Sequence, residues 1–167
     1  NKMDRDRAEF SPAFDGLSSI LGIKPVLLYM PIGSKEDFQG LVDILGNKAL
    51  FFEADGAVKE GDIPADLADD VAVLRETTIE NIAEADEALM EKYLEEGELT
   101  PEEILSGLKT GVNSGDIVPV VAGAALENKG GVQLLDAIQD LLPSPLERGE
   151  WEGVEGARKS AEDEPAT

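Results

Sequence analysis

The sequence predicts an α/β fold: a mixed sheet that contains an antiparallel hairpin and packs against helices. Three observations carry this. Residues 25–31 (Pro-Val-Leu-Leu-Tyr-Met-Pro) form a short, nearly continuous apolar run bounded by prolines, the pattern of a buried strand. Two turn signals, Gly46-Asn47 and Asp55-Gly56, separate short apolar stretches and mark antiparallel turns. Apolar residues then recur at helical spacing through the second half of the chain.

Taken in order, residues 8–21 place Phe10, Phe14, Leu17, Ile20 and Leu21 at helical intervals, with Gly22 as a stop. The strand at 25–31 follows. Residues 38–45 and 49–52 read as two further strands, and 57–59 as a short fourth. The longest predicted element is a single helix over 64–96, with Asp62 as its cap and Pro64 in its first turn. Its apolar stripe is Leu67, Val71, Leu74, Thr78, Ile82, Ala85, Leu89 and Tyr93, and Gly97 ends it. Thr100-Pro101-Glu102-Glu103 has the form of a capping box with proline at the first helical position, opening a helix to about residue 110. Residues 117–122 form a strand whose Pro119 argues for an edge or a strand start. Residues 131–142 form a last helix, stopped by Pro143 and Pro145.

Composition narrows the chemistry. The chain has 167 residues, no cysteine and no histidine, which removes disulfides, thiolate metal sites and the usual general base. No apolar run reaches the roughly 18 residues that suggest a membrane span, and no signal peptide is visible, so a cytoplasmic location is expected. The net charge of −22 repels phosphate backbones and argues against direct nucleic-acid binding. Such a surface suits basic protein partners or solubility. The paired acids Asp69-Asp70 and Asp86-Glu87 have no nucleophile or metal-binding pattern beside them, so no catalytic residue and no metal site is predicted. Residue 1 is Asn, and residues 147–167 are rich in Gly, Pro and charge, so the chain reads as an excised piece ending in a linker.

Asn1-Lys2-Met3-Asp4 fits Asn-Lys-x-Asp, the pattern by which GTP-binding proteins read guanine. A carboxylate at Asp4 can accept hydrogen bonds from the ring N–H and exocyclic amine of guanine. Adenine offers no such donor pair and would leave the carboxylate desolvated and unpaired. The stem of Lys2 would cover one face of the base, and the amide of Asn1 would brace neighbouring loops. The alternative is an ordinary capping Asn or Asp in a surface loop. No Gly-x-x-x-x-Gly-Lys-Ser/Thr phosphate loop is present. Asp37-Phe38-Gln39-Gly40 fits Asp-x-x-Gly but lies after the base motif rather than before it, so it is read as coincidence.

Beyond these four residues, Arg5, Pro31-Ile32-Gly33, 38–43, Asp62 to Asp66, 89–94, Glu98-Leu99-Thr100, Glu102-Glu103-Ile104, Asn128-Lys129-Gly130, Val132-Gln133, 142–145 and Asp163-Glu164-Pro165 occur in the order found in elongation factor G. The chain thus resembles an internal stretch of that translation GTPase. The resemblance implies an incomplete P-loop GTPase domain plus its inserted subdomain: 1–24 with the guanine motif and following helix, 25–116 the insert, 117–145 the last strand, guanine-contacting loop and last helix, and 146–167 a linker. It implies a second base-contacting loop at Gly123, Ala124 and Ala125, with the Ala125 N–H directed to the guanine keto oxygen. The family usually carries Ser at the position of Ala124. Loss of that hydroxyl removes a hydrogen bond worth about 1 kcal/mol and points to a divergent paralogue. GTP or GDP and magnesium belong to the full protein, and none is expected on this stretch alone, which cannot hydrolyse GTP without the phosphate loop and switches.

The predicted long helix also bears Glu76, Glu80, Glu84, Glu87, Glu91 and Glu95 with few bases among them. Like charges four residues apart cost roughly 0.2–0.5 kcal/mol per pair. The plain reading is a solvated face. The resemblance implies that Glu80 and Glu84 dock the C-terminal domain of the ribosomal stalk protein, and Glu76 and Glu87 of the same acidic stripe are expected to join them. Two rival readings are an autonomous acidic adaptor and an inert spacer insert in a non-translocating GTPase.

Overall fold

The structure, a computed structural model, describes residues 1–53, 56–148, 151–152 and 158–159. The expected turn residue Asp55, and from the expected linker residues 149–150, 153–157 and 160–167, lie outside the described residues.

Helix α1 (Phe10–Leu21) leads into strand β1 (Pro25–Ile32), followed by β2 (Gly40–Asp43), β3 (Lys48–Phe52) and β4 (Val58–Gly61). Helices α2 (Ala68–Ala83), α3 (Glu87–Glu96) and α4 (Pro101–Ser114) come next, then β5 (Val118–Val121), α5 (Gly131–Leu141) and the short α6 (Pro145–Arg148). A two-residue pair, β6 (Trp151–Glu152) with β7 (Arg158–Lys159), lies within the expected linker. The α/β mixed sheet is as the sequence predicts. Its strand order is β4-β3-β2-β1-β5, antiparallel throughout except for the parallel pair β1–β5. Pro119 lies on the edge strand β5, where a missing N–H interrupts no internal ladder.

β1 is largely enclosed, and its side chains enter two apolar clusters. Val26 and Leu28 pack with Ile79, Ile82, Ile104, Leu108, Ile117 and Leu141. Leu27 packs with Met30, Ile32, Val42, Ile44, Ala49 and Val71. Strict alternation would keep Met30 and Ile32 with Val26 and Leu28. The register of β1 on β5 shifts between Leu27 and Tyr29, and such an irregularity exchanges the faces beyond it. Residues assigned by resemblance to the insert and to the GTPase domain thus share one sheet and one core.

The helix expected over 64–96 is two helices. Residues 65–67 are a turn closed by Leu67 N–H to Pro64 O at 2.9 Å, so α2 begins at Ala68 and Asp62 does not cap it. The second break falls after Ala83. The Asp86 carboxylate accepts from the N–H groups of Ala88 (2.9 Å) and Leu89 (3.3 Å) and starts a new helix, α3. Asp is a strong N-cap, and its side-chain bonds satisfy donors that a continuous helix would have used internally. The reversal lets α3 lie beside α4, where Lys92 reaches Glu103 at 2.7 Å. Val71, Thr78 and Ile82 of the expected stripe are buried, together with Ile79 and Ala83. α4 runs one turn past the expected end, to Ser114, and Pro145 opens α6 rather than only stopping α5.

Thr100 and Glu103 form the capping box: Glu103 N–H donates to Thr100 Oγ1 (3.3 Å) and Thr100 N–H donates to Glu103 Oε2 (2.9 Å). The bond from Lys92, then that from the Thr100 N–H, holds the Glu103 carboxyl below its ordinary value of 4.5. A lowered value means that its contribution is complete above about pH 4.5 and fades as pH falls towards the folded-state value. The stability difference between wild type and Glu103→Gln is therefore expected at neutral pH and should shrink below pH 4.5, as followed by urea unfolding across pH. A difference independent of pH would contradict the assignment.

Gly107 and Gly111 give α4 a smooth face against its neighbours. A Cβ at Gly111 would stand 2.4 Å from Ile117 Cδ1, 2.8 Å from Ile117 Cγ1 and 3.0 Å from Ala85 Cβ. Gly111→Val should therefore destabilise by about 1–3 kcal/mol through overpacking, despite the better helix propensity of Val. Thermal unfolding followed by circular dichroism checks this.

Candidate guanine-contacting loops

The first four residues and the loop after β5 are over a hundred residues apart in sequence and meet in space. Met3 is buried; its N–H donates to Gly123 O at 3.2 Å and its carbonyl accepts from Lys35 N–H at 2.7 Å. The N-terminal segment is thereby wedged between the end of β5 and the turn that precedes β2. Asn1 Oδ1 accepts from Lys2 N–H (2.7 Å) and from Ala125 N–H (3.1 Å). The Asn1 amide thus bonds to the second loop, at the same N–H that the resemblance directs to guanine.

Lys2 is exposed and has φ of 67°, a left-handed conformation that costs a lysine about 1–2 kcal/mol. Backbone strain of this kind gathers at functional sites. The Asp4 carboxylate is largely covered, with 13% of its side-chain surface exposed, and receives Arg5 Nε at 3.2 Å. It is a fixed acceptor rather than a free surface acid. The segment thus brings together a covered carboxylate, an exposed lysine stem and the Ala125 N–H, which Asn1 Oδ1 engages in this structure.

The loop itself is closed by reciprocal bonds, Ala124 N–H to Lys129 O (2.9 Å) and Lys129 N–H to Ala124 O (3.1 Å), around a single 3-10 turn at Ala125–Glu127. Ala124 is fully buried in a cluster with Met3, Phe38, Leu41 and Ala122, which accounts for an apolar residue where the resemblance expects a hydroxyl. Gly130 has φ of 80°, and a Cβ there would lie 2.7 Å from Ala122 O, so only glycine closes the turn into α5.

Lys129 was given no role by the sequence. Its Nζ donates to Phe38 O at 2.9 Å, pairs with Glu127 at 2.8 Å and lies 5.7 Å from the centre of the Phe38 ring. It fastens the loop to the approach of β2. The available signal was its position in the loop of a chain with 14 bases against 36 acids, where each base is a scarce partner.

The four acidic positions do not form one stripe. Glu76 and Glu80 are exposed on α2, Glu84 is the C-terminal cap of α2, and Glu87 lies in the first turn of α3. Glu76, Glu80 and Glu84 keep their i,i+4 spacing on α2 and its cap, and the helix break separates Glu87 from them. Glu84 forms an ion pair with Lys24, so its carboxylate is already engaged.

No family model matches the chain. A crystal structure of a Thermus thermophilus protein is 31% identical and superimposes with a TM-score of 0.77 over 86% of this chain. The match covers 22% of that protein, so the chain spans about a fifth of its length. Among the described residues no helix is long and apolar enough to cross a membrane.

Replacing Lys129 by Met removes a charge-assisted bond to a carbonyl, worth about 1–2 kcal/mol at this half-buried position. The expected result is a melting temperature lower by roughly 2–8 °C. Faster hydrogen exchange at the Ala124 and Lys129 amides should accompany it. Unchanged exchange would show that the reciprocal loop bonds need no tether.

Proposed function

We propose that this chain is an internal part of an elongation factor G-type GTPase of the cytoplasm, carrying its guanine-selecting loops and an acidic insert that docks the ribosomal stalk protein. The observation that supports this most directly is the meeting of Asn1-Lys2-Met3-Asp4 with Gly123-Ala124-Ala125 through Met3 N–H to Gly123 O and Ala125 N–H to Asn1 Oδ1. A chance four-residue match has no reason to be seated against the second predicted base-contacting loop.

In this reading Asp4 selects guanine through two hydrogen bonds, Lys2 covers the base, and Ala125 N–H exchanges Asn1 Oδ1 for the keto oxygen. GTP would supply the phosphates on which magnesium sits. Most of the affinity lies in those phosphates, so this stretch alone should bind nucleotide weakly. Two further features favour a larger body. β5 ends the sheet with an open side, and α5 exposes Val132, Leu135 and Ile138 while α1 exposes Ile20. Further parts of a GTPase domain would cover such surfaces.

The docking half of the reading stands on Glu76, Glu80 and Glu87, which are exposed and, among the described residues, form no ion pair. Titrating the chain with the isolated C-terminal domain of the stalk protein should move amide resonances around these residues, and moderate salt should suppress the effect. Glu80→Lys should lower the affinity by about tenfold or more. It leaves the Glu84–Lys24 pair intact, so its melting temperature should match that of wild type. Absence of shifts at low salt would reduce these acids to solvated surface.

A further inference from the structure

Among the described residues, Arg75 is a base without an ion pair or hydrogen bond. Its Nε is buried and unpartnered. A guanidinium shut partly away from water and left unpaired is costly, and its natural complement is a planar carboxylate. Arg75 lines a cleft of about 460 Å³ between α2, the C-terminal end of α3 and the β2–β3 turn. Two further hydrogen-bond donors line it, the Asn47 amide and the half-buried Tyr93 hydroxyl. Asn47 is held at the rim by its turn, in which Gly46 N–H donates to Asp43 Oδ1 at 2.8 Å. A guanidinium, an amide and a phenol together make a donor set for a carboxylate.

Glu76 and Glu98 also line this cleft, and both are exposed. They repel a free anion, as does the net charge of −22. They attract a segment whose carboxylate is flanked by lysine or arginine. We propose that the Arg75 cleft is a carboxylate-binding site that takes an acidic side chain carried within a basic segment of a partner protein. The basic carrier rests on the docking reading of the acidic face. The carboxylate site rests on Arg75 with the Asn47 and Tyr93 donors and not on that reading.

Two capped pentapeptides, Lys-Lys-Glu-Lys-Lys and Lys-Lys-Gln-Lys-Lys, separate the ideas. The glutamine peptide carries one more net positive charge, so the general field of this acidic chain favours it. A preference for the glutamate peptide must come from a local cation. Followed by chemical shifts on the whole chain, the glutamate peptide should bind about tenfold more tightly, the effect of one charge-assisted contact. It should shift the Arg75 Nε–H resonance and the signals of Asn47 and Tyr93. Arg75→Gln should erase the preference while retaining affinity for the glutamine peptide. Equal binding of the two peptides by wild type would overturn the carboxylate site and leave the basic docking face standing. Binding of neither would overturn both. Arg75→Met should melt at or above the wild-type temperature, since it removes an unpaired charge. A fall of several degrees would mean that the guanidinium serves the fold instead, and would overturn the proposal.

Discussion

The parallel pairing of β1 with β5 is the constraint on which the rest of the structure depends. Pro25 lies opposite Val118, and the strands stay in register through Leu27 and Val120 before the shift at Tyr29. Everything between them, three antiparallel strands and three helices, leaves β1 and returns to its side. A parallel pair requires a crossover, and here the crossover, residues 33–117, has grown to about half of the chain. Its consequence is local: β5 ends beside the N-terminal segment, so Gly123 O is available to Met3 N–H and Ala125 N–H to Asn1. Without the β1–β5 ladder the two candidate base-reading segments would have no reason to be neighbours.

The fold was legible where local chemistry and tertiary packing ask for the same thing. The proline-bounded run of β1 reads as strand because it is short, apolar throughout and flanked by prolines that disfavour a helix. The Thr100–Glu103 capping box is a local reciprocal pair and was readable residue by residue. The helix break at Glu84–Asp86 was not, because Ala and Glu have high helix propensity and the apolar stripe keeps its period across the break. What decides against continuity is Asp86 as a cap together with α3 packing back on α2 and reaching α4 through Leu89 and Lys92. The cap was visible in the sequence, but the packing of α3 was not.

The candidate site divides in the same way. The guanine motif was legible as a pattern, and its neighbour loop only through resemblance, since nothing in Gly-Ala-Ala carries chemistry beyond backbone N–H groups. The role of Lys129 was hidden because its partners, the Phe38 carbonyl and ring, are 91 residues away. The burial of Ala124 explains why a hydroxyl is dispensable there: the position packs with Met3, Phe38 and Leu41, where an unpaired hydroxyl would be costly.

Charge distribution follows from scarcity. With acids outnumbering bases 36 to 14, a base placed between two elements acts as a tie that is hard to replace. Lys24 links the approach to β1 with the end of α2, Lys48 links β3 with Glu60 of β4, and Lys92 links α3 with α4. Lys129 links the loop after β5 with the approach to β2. Each exposed pair is worth at most about 1 kcal/mol, so these ties fix orientation more than they stabilise the fold. Assigning bases to junctions leaves most acids with no counter-charge on their own chain, and α2 shows the result at Glu76 and Glu80. Arg75 departs from this pattern. It sits on the same helix, half enclosed beside uncompensated acids, and ties no two elements together. Lys2, Arg7, Lys35, Lys59, Lys109 and Arg148 also form no ion pair among the described residues. Of these unpaired bases, Arg75 is the one with a buried, unpartnered guanidinium nitrogen, which a group arriving from outside explains better than the internal needs of the fold.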